Sequence, residues 1–380
     1  MLKILLHKRV YRRVQPRRAK SASFFILFIL GLFVGSISAG TQAVWMGVAK
    51  IVAVGDLHGD YDNFVTILKG TQVVDCDLRW AGGETHLVQI GDIMDRGPDA
   101  RKIFDLLIRL EQEAKEAGGM VHVLLGNHEE LNITGLVFRY PDYLTANQFR
   151  DFLPDGYRKK QEERLHKMLK DIGDDSQCQG LIDKFWNKMI NDTRAQKEYL
   201  TNLYDKYGSW ILEHNAVIKI NDIVFAHGGI AEQYSTWKIE KINEVLRQEL
   251  SDLAQKAIRL EPQESRLRIA YQADGPLWYR ELAIVPEEDL KDEVDRILAN
   301  LGARALVIGH TPKVPTRREM ERFGGKVWIV DTGISFAYGG RLSALIITNG
   351  TFNVWGENNE QKDHSDNPPH DSPRLGPVFL

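Results

Sequence analysis

This 380-residue chain contains five short apolar runs, and each ends beside glycine and a polar residue of a kind that binds metal ions. The runs are Ile51–Val54, Leu87–Ile90, Val121–Leu125, Ile223–Ala226 and Ala305–Ile308. A short continuous apolar run bounded by turn residues indicates a buried strand. Open α/β sheets bind their ligands at the carboxyl ends of their strands. We therefore predict that five segments, distant along the chain, bring their polar residues to one crevice.

The residues that follow these runs carry carboxylate, amide and imidazole groups. They are Asp56, His58, Asp92, Asn127, His227 and His310. Oxygen and imidazole donors without thiolate favour Mn, Fe or Zn in an open site over a structural zinc site. The set predicts a centre with two metal ions, divalent or of mixed valence.

The spacing within the segments is informative. Asp56 and His58 are two residues apart in a glycine-bounded turn, which lets both side chains face one ion. The segment Gly91-Asp92-Ile93-Met94-Asp95-Arg96-Gly97 is more specific, because the two oxygens of Asp92 can bridge two cations. The segment Gly126-Asn127-His128-Glu129 adds a neutral oxygen ligand and a neighbouring imidazole.

Glu129 and Glu130 have two interpretations. They are either carboxylates at the start of a helix or groups that support the metal ligands. The first interpretation is preferred, because acidic residues are common in a first helical turn.

Taken together, these segments resemble the signature motifs of the phosphoprotein phosphatase family within the calcineurin-like metallophosphoesterases. His227-Gly228-Gly229 and Gly309-His310 match the remaining metal histidines of that family. Two features resemble the bacterial Shewanella-like protein phosphatase branch. Leu125 stands where eukaryotic members usually have arginine, and the second feature is the segment Asp274-Gly275-Pro276-Leu277-Trp278-Tyr279-Arg280. No segment matches the C-terminal tyrosine loop of the eukaryotic enzymes. The resemblance implies an α/β fold, a layered β-sandwich flanked by helices.

The resemblance also implies how the metals are held. Asp56, His58 and His310 would bind one ion. Asn127 and His227 would bind the other, and Asp92 would bridge the two. A pair of such ions lowers the pKa of a shared water and stabilises the charge of an in-line phosphoryl transfer.

The same resemblance assigns the catalytic roles. His128 would protonate the leaving oxygen, and Asp95 would orient the ring of His128. Arg96, Arg280 and Asn127 would contact the substrate phosphate, and arginine is suited to bidentate contact with it. For Arg280 a second interpretation stays open, in which the neighbouring Trp278 and Tyr279 belong to a core.

These roles predict an enzyme that hydrolyses phosphomonoesters, foremost the Ser, Thr or Tyr phosphates of proteins, by direct attack of a metal-bound hydroxide. One alternative is a dinucleoside polyphosphate hydrolase, which shares the first three motifs. Another is a non-catalytic phosphate-binding module. The net charge of -3 argues against nucleic acid as a partner. We expect a monomer whose partner is a phosphoprotein or phosphopeptide.

Helices are expected between the strands. Ile103, Leu106, Leu107 and Leu110 predict one, with Pro98 in its first turn. Another is predicted over residues 239–258. The motif-free stretch from about 136 to 214 predicts a helical insert that caps the crevice. Later strands are predicted at Val217–Ile220, Leu306–Ile308, Val327–Val330, Leu342–Ile347 and Phe352–Val354.

The two ends differ from the body. A basic segment, an apolar run from Phe24 to Ile37 and small residues after it are typical of a secretory signal within residues 1–43. Cleavage is preferred over an uncleaved anchor that extends through Val44, Trp45 and Met46. Both alternatives predict export, to the periplasm or to the outer face of the inner membrane. In both, we expect the protein to contact the membrane only through this N-terminal segment.

Two further features are secondary. Residues 357–380 predict a disordered tail after a domain that spans 44–356. Cys76 and Cys178 could form one disulfide in an oxidising compartment.

Overall fold

The computed structural model of the protein describes residues 42–140, 142–170, 175–262 and 268–356. The predicted leader, apart from Gln42 and Ala43, and the predicted tail lie outside these residues. The strands are β1 (Val44–Trp45), β2 (Lys50–Val54), β3 (His86–Gln89), β4 (Met120–Val123), β5 (Val217–Ile220), β6 (Ile223–Ala226), β7 (Ala305–Ile308), β8 (Glu321–Arg322), β9 (Val327–Ile329), β10 (Ala344–Thr348) and β11 (Thr351–Trp355).

The helices alternate with these strands and fill the insert. They are α1 (Tyr61–Gly70), α2 (Ala100–Glu116), α3 (Asn127–Ile133), α4 (Ala146–Asp151), α5 (Asp155–Leu169), α6 (Asp175–Ile190), α7 (Thr193–Leu203), α8 (Ser209–Glu213), α9 (Glu232–Ser235), α10 (Ile239–Ile258), α11 (Glu281–Ile284), α12 (Glu287–Leu301) and α13 (Arg317–Met320). Within the described ranges no helix combines the length and apolarity that crossing a bilayer requires.

The strands form two sheets, in the orders β1-β5-β6-β7-β9-β8 and β11-β10-β2-β3-β4. β2, β3 and β4 are parallel neighbours, and so are β6, β7 and β9. Parallel strands place their carboxyl ends at the same edge of a sheet. Each sheet therefore presents three strand ends, and the loops that follow them, on one side of the molecule.

The two sheets pack face to face with helices outside them. Ile51 and Ala53 of β2 belong to one buried cluster with Phe225 of β6 and Val307 of β7, which is the core between the sheets. The alternate β2 residues, including Val52, pack in a second buried cluster with residues of α1 and α2. Both faces of the strand are thus covered, which explains its continuous apolar run. The predicted α/β sandwich flanked by helices is confirmed.

Most predicted elements match the structure. The later predicted strands correspond to β5, β7, β9, β10 and β11, with ends that differ by up to two residues. Helix α10 has the predicted bounds, because its apolar residues recur at helical spacing and are buried against β5 and neighbouring helices. The predicted position of Pro98 is wrong: α2 begins at Ala100, and Asp99 is its N-cap residue.

In the alternative to cleavage, an uncleaved anchor would extend through Val44, Trp45 and Met46. Val44 and Trp45 form β1, which pairs with β5 in the sheet of the folded domain. The backbone of Ala43 accepts a hydrogen bond from Lys219 N at 2.8 Å. The first described residues therefore belong to the domain and not to a separate apolar segment. Cys76 is exposed as a free thiol, so no bridge joins it to Cys178.

The insert is helical as predicted and runs from Leu136, in a short 3-10 turn, through α4 to α8. Its core contains aromatic rings: Phe149 stacks on Tyr199 with ring centroids 5.3 Å apart, and Phe152 packs edge-on against Tyr199 at 5.9 Å. The side chain of Gln148, at α4, reaches the crevice and contacts Asp95. The insert thus packs directly against the predicted site.

Candidate metal centre

The six predicted metal ligands come together where the strands end. Asp56 and His58 follow β2, Asp92 follows β3, and Asn127 opens α3 just after β4. His227 follows β6 and His310 follows β7, so the two sheets contribute together. All six are buried, with at most 4% of each residue exposed: Asp56, His58, Asp92, Asn127, His227 and His310.

Asp92 is at the middle of the cluster. Its Oδ1 lies 3.3 Å from His227 Nε2, and its Oδ2 lies 3.9 Å from the Nε2 atoms of both His58 and His128. Two groups of three possible ligands share this carboxylate. One group is His58, Asp92 and His128, and the other is Asp92, His227 and His310. A carboxylate common to two groups is suited to bridge two cations.

The assignment of ligands to individual ions stays a prediction. Asp56 is in neither of the two groups among the described residues. Its two carboxylate oxygens accept hydrogen bonds from His310 N at 3.2 and 3.1 Å. Asn127 Oδ1 lies 3.0 Å from His227 Nε2, which agrees with the predicted pairing of these two ligands.

The histidines are oriented as metal ligands usually are. The Nδ1 atom of His227 is 2.9 Å from Ile90 O, and that of His58 is 3.1 Å from Met94 O. Donation of the Nδ1 proton to a backbone carbonyl leaves the Nε2 lone pair directed toward Asp92. His310 Nε2 is buried and has no hydrogen-bond partner among the described residues. A buried acceptor of this kind is costly unless a ligand satisfies it.

The pKa values of the candidate ligands are also shifted in directions that favour metal binding. Burial lowers the pKa of His58 to about 3, with a further contribution from His128. Burial, and then Arg280, lowers the pKa of His310 well below its usual value. Burial alone would raise the pKa of Asp92, but the surrounding histidines hold it well below the usual range. Neutral imidazoles around an ionised carboxylate are the forms that bind metal, so the residues fit two divalent ions.

The backbone around the centre is strained. His58, Asp92, Asp95, Arg96 and His310 have φ values of 45°, 55°, 70°, 67° and 65°, in the left-handed region. Residues with a side chain rarely adopt these values, at a cost of about 1–3 kcal/mol each. The concentration of such residues here is typical of a functional site, where surrounding contacts hold the geometry.

Two glycines make room for the carboxylates. A Cβ atom on Gly126 would lie 2.2 Å from Asp92 Oδ1, and one on Gly309 would lie 2.5 Å from Asp56 Oδ1. No side chain fits at such distances. The glycine of each motif is therefore required by the close approach of the backbone to a predicted metal ligand.

Glu129 organises the loop that carries Asp92. Its carboxylate accepts hydrogen bonds from the backbone N atoms of Asp92, Ile93 and Met94 at 2.8, 2.8 and 3.1 Å, and from Gly126 N at 3.0 Å. The preferred interpretation of Glu129 as a plain helix-start carboxylate is therefore wrong. Sequence reasoning missed this role because the four donors lie in a loop more than thirty residues away or at the adjoining turn.

Glu130 is also buried, but its environment differs. It accepts one hydrogen bond, from Trp278 Nε1 at 2.7 Å, and burial raises its pKa well above the usual range. Such a buried environment also does not fit a plain helix-start carboxylate. Trp278 in turn packs edge-on to the ring of His310, with centroids 5.9 Å apart.

The predicted catalytic pair is formed. His128 Nδ1 lies 2.7 Å from Asp95 Oδ2, and both residues are buried. Asn132 Nδ2 and Gln148 Nε2 donate to Asp95 at 2.8 and 2.9 Å, which fixes the carboxylate. Burial opposes the charge on His128, but Asp92 and Asp95 outweigh it, so the pKa of His128 is raised.

The two predicted phosphate-binding arginines border the centre. Arg280 Nη1 donates to His310 O at 2.6 Å and to Thr311 Oγ1 at 3.1 Å, and its side chain is half-buried. Tyr279 is in the core, as in the second interpretation, but Arg280 itself reaches the site. Arg96 Nη1 donates to Asp142 O of the insert at 3.1 Å.

Asp331 is a site residue that the sequence analysis missed. It follows β9, at the same edge as His227 and His310, and it is buried beside Asp56, Asp92 and Arg280. Burial raises its pKa to about 6. The pattern of Val327–Val330 followed by Asp331, Thr332 and Gly333 repeats the apolar run, ligand and glycine of the other segments and could have identified it.

Comparisons with known proteins agree with this geometry. A family model for calcineurin-like phosphoesterases matches residues 49–314. Shewanella-like protein phosphatase 1 of Plasmodium berghei is 27% identical over 294 residues, 77% of this chain and 68% of that protein. Shewanella-like protein phosphatase 2 of Arabidopsis thaliana is 30% identical over 211 residues, 52% of this chain and 51% of that protein.

The fold is also found among solved structures. The cold-active protein-tyrosine phosphatase of a psychrophilic Shewanella species superposes with a TM-score of 0.60 and 28% sequence identity. The match covers 83% of this chain and 80% of that one.

Proposed function

The chain belongs to the calcineurin-like phosphoesterase family, and on that premise we propose that it is a metal-dependent phosphomonoesterase that acts on phosphoproteins. The family membership and the similarity to Shewanella-like protein phosphatases bear out the predicted resemblance. Hydrolysis of phosphoesters follows from the family. The protein substrate, the roles of single residues and export are parts of the proposal.

The buried pair of His128 and Asp95 carries the proposal. Asp95 occupies Nδ1 of the ring, so Nε2 is left to donate a proton on the side of Asp92. A serine, threonine or tyrosine oxygen leaves poorly as an anion, and a general acid speeds its departure by about 10²–10⁴-fold. A phosphate leaving group, as in a dinucleoside polyphosphate, needs no such proton. The pair therefore suits phosphomonoesters, and because the alternative enzyme shares the motifs that carry it, the substrates must be compared directly.

Asp56, His58, Asp92, Asn127, His227 and His310 would hold the two metal ions. Such ions supply an activated water and neutralise the charge of the phosphoryl group. Arg96 and Arg280 border the same space and offer N–H groups that match phosphate oxygens.

The relatives support a protein substrate. Two are named protein phosphatases, and the similar solved structure is described as a protein-tyrosine phosphatase. The rings of Tyr143 and Tyr338 pack against His128 and His58, within the crevice. Such a lining is compatible with an aromatic phosphoester as well as with serine and threonine phosphates.

Export rests on the leader sequence. The basic segment and the apolar run that follows it direct the chain out of the cytoplasm, to the periplasm or the outer face of the inner membrane. Fractionation of cells that express the full chain tests this, and recovery in the cytosol would contradict it.

A substrate panel tests the proposed reaction. Phosphate release is measured with Ser, Thr and Tyr phosphopeptides and with diadenosine tetraphosphate, each with Mn, Zn, Fe or Mg. We expect turnover of the phosphopeptides at least tenfold faster than that of the dinucleotide. Faster hydrolysis of the dinucleotide would support the alternative enzyme, and bound metal without turnover of either would support a binding module.

A further inference from the structure

Arg96 is held in an unusual position between the predicted centre and the helical insert. Its backbone has a φ of 67°, and its N atom donates to Tyr143 O at 2.8 Å. Its Nη1 donates to Asp142 O. Its Nε is buried and has no hydrogen-bond partner among the described residues. One guanidinium N–H group is thus fixed in place and left for a ligand.

Tyr143, in the insert, contacts the guanidinium through its ring. The Cζ atom of Arg96 lies over this ring, 4.1 Å from its centroid. The ring is itself fixed: it stacks on Tyr140 with centroids 5.0 Å apart and planes at 14°. It also packs on His128 at 4.9 Å. The ring of Tyr143 therefore contacts both the Arg96 guanidinium and the imidazole of His128, the predicted general acid.

Tyr338, almost two hundred residues later, contacts the same guanidinium. Arg96 Cζ lies 5.7 Å from the centroid of its ring, and the ring packs on His58 at 5.0 Å. The turn that carries Tyr338 is tied to α1, because Phe336 N donates to Asp60 Oδ2 at 3.0 Å and Asn63 Nδ2 donates to Ile334 O at 2.7 Å. The position of this ring is therefore defined by the fold.

We propose that Tyr143 and Tyr338 are positioning residues that hold the Arg96 guanidinium in its phosphate-binding orientation through their ring faces. A cation over an aromatic face contributes about 0.5–2 kcal/mol. Without the rings, the long arginine side chain would sample other rotamers, and part of its affinity for a phosphoryl oxygen would be lost to ordering. The hydroxyl groups are not needed for this role.

The inference rests on the proposed function in taking a phosphoryl group as the ligand of Arg96. The test is therefore a binding measurement. Orthophosphate is titrated calorimetrically into the full chain loaded with Mn, for the wild type and for Tyr143→Leu, Tyr143→Phe, Tyr338→Leu and Tyr338→Phe. Tyr157→Leu, on α5 of the insert, is the matched control. Metal content and circular dichroism are measured for every variant.

We expect each leucine variant to weaken orthophosphate binding by about 2- to 30-fold. The phenylalanine variants, which keep the ring, and the control variant should stay within about twofold of the wild type. If Tyr143→Leu fails to fold, Tyr338→Leu, on a more exposed turn, provides the same test. Unchanged binding in the leucine variants, or equal losses in the leucine and phenylalanine variants, would overturn the inference.

A double variant tests whether the rings act through Arg96. Tyr143→Leu should add little to the loss caused by Arg96→Gln, because the ring has nothing left to position. Additive losses would contradict the inference. If the wild type binds orthophosphate through Arg96 but hydrolyses no phosphopeptide, the proposed function fails while the positioning role stands, so the two failures are distinguishable.

Discussion

His128 Nδ1 lies 2.7 Å from Asp95 Oδ2 in the buried centre, and Asp95 has no exposed surface. Asn132 and Gln148 fix the same carboxylate from α3 and from the insert. The imidazole can therefore hold a proton at Nδ1 toward Asp95 while it presents Nε2 toward Asp92. This arrangement would orient His128 as the proposed general acid, and that role has measurable consequences.

Replacing Asp95 by asparagine should change the pH dependence. Burial lowers the pKa of His128, and the charges of Asp92 and Asp95 raise it above its usual value. Since the acid acts when protonated, the rate should fall as pH rises through this pKa. Without the Asp95 charge the fall should begin at lower pH, measured as kcat against pH on a seryl phosphopeptide. An unchanged profile, equal to that of the surface control Asp62→Asn, would exclude this role.

Replacing His128 by asparagine should keep both metals and lower kcat by about 10²–10⁴-fold on seryl phosphopeptides. The loss should be smaller for p-nitrophenyl phosphate, whose leaving group needs less protonation. Rates on both substrates and metal content per chain check this. Loss of metal from the variant would instead make His128 a ligand, as its place in one three-residue group allows.

Glu129 and Glu130 are neighbours in the chain, but we expect their substitution by glutamine to have different effects on stability. Glu129→Gln replaces one acceptor oxygen with an N–H₂ group among four backbone donors, and a buried unsatisfied group costs about 1–3 kcal/mol. It should lower both Tm and metal affinity. Glu130→Gln should change Tm little, because the amide has the same shape and its oxygen can accept the same hydrogen bond from Trp278 Nε1. Equal effects of the two variants would argue against the role of Glu129.

The fold and the clustering of the candidate ligands could be predicted from the sequence because both depend on local patterns. Apolar runs that are buried on both faces indicated the strands, and the polar residues after these runs indicated the candidate ligands. Contacts between distant segments could not be predicted. Glu129 acts on backbone groups around Asp92, and Tyr338 approaches Arg96 only through the folding of a late turn. Neither contact leaves a periodic pattern in the sequence.

Strand β1 should be needed for stability although it carries no site residue. A chain that starts at Gln42 should fold, while one that starts at Gly47 loses β1 and the backbone bonds from Lys219 to Ala43 and from Asn221 to Trp45. The second should melt at least about 4 °C lower in a calorimetric scan. Equal melting temperatures would mean that β1 adds nothing to the folded domain.

The measurement that tests the central claim most directly is metal content together with turnover in Asp92→Asn. Asp92 is common to both groups of possible ligands, and its charge faces the histidines of each. We predict two metal ions per chain in the wild type by plasma mass spectrometry, and loss of metal from both positions with near-complete loss of phosphopeptide hydrolysis in the variant. A variant that keeps two ions and wild-type turnover would contradict the account.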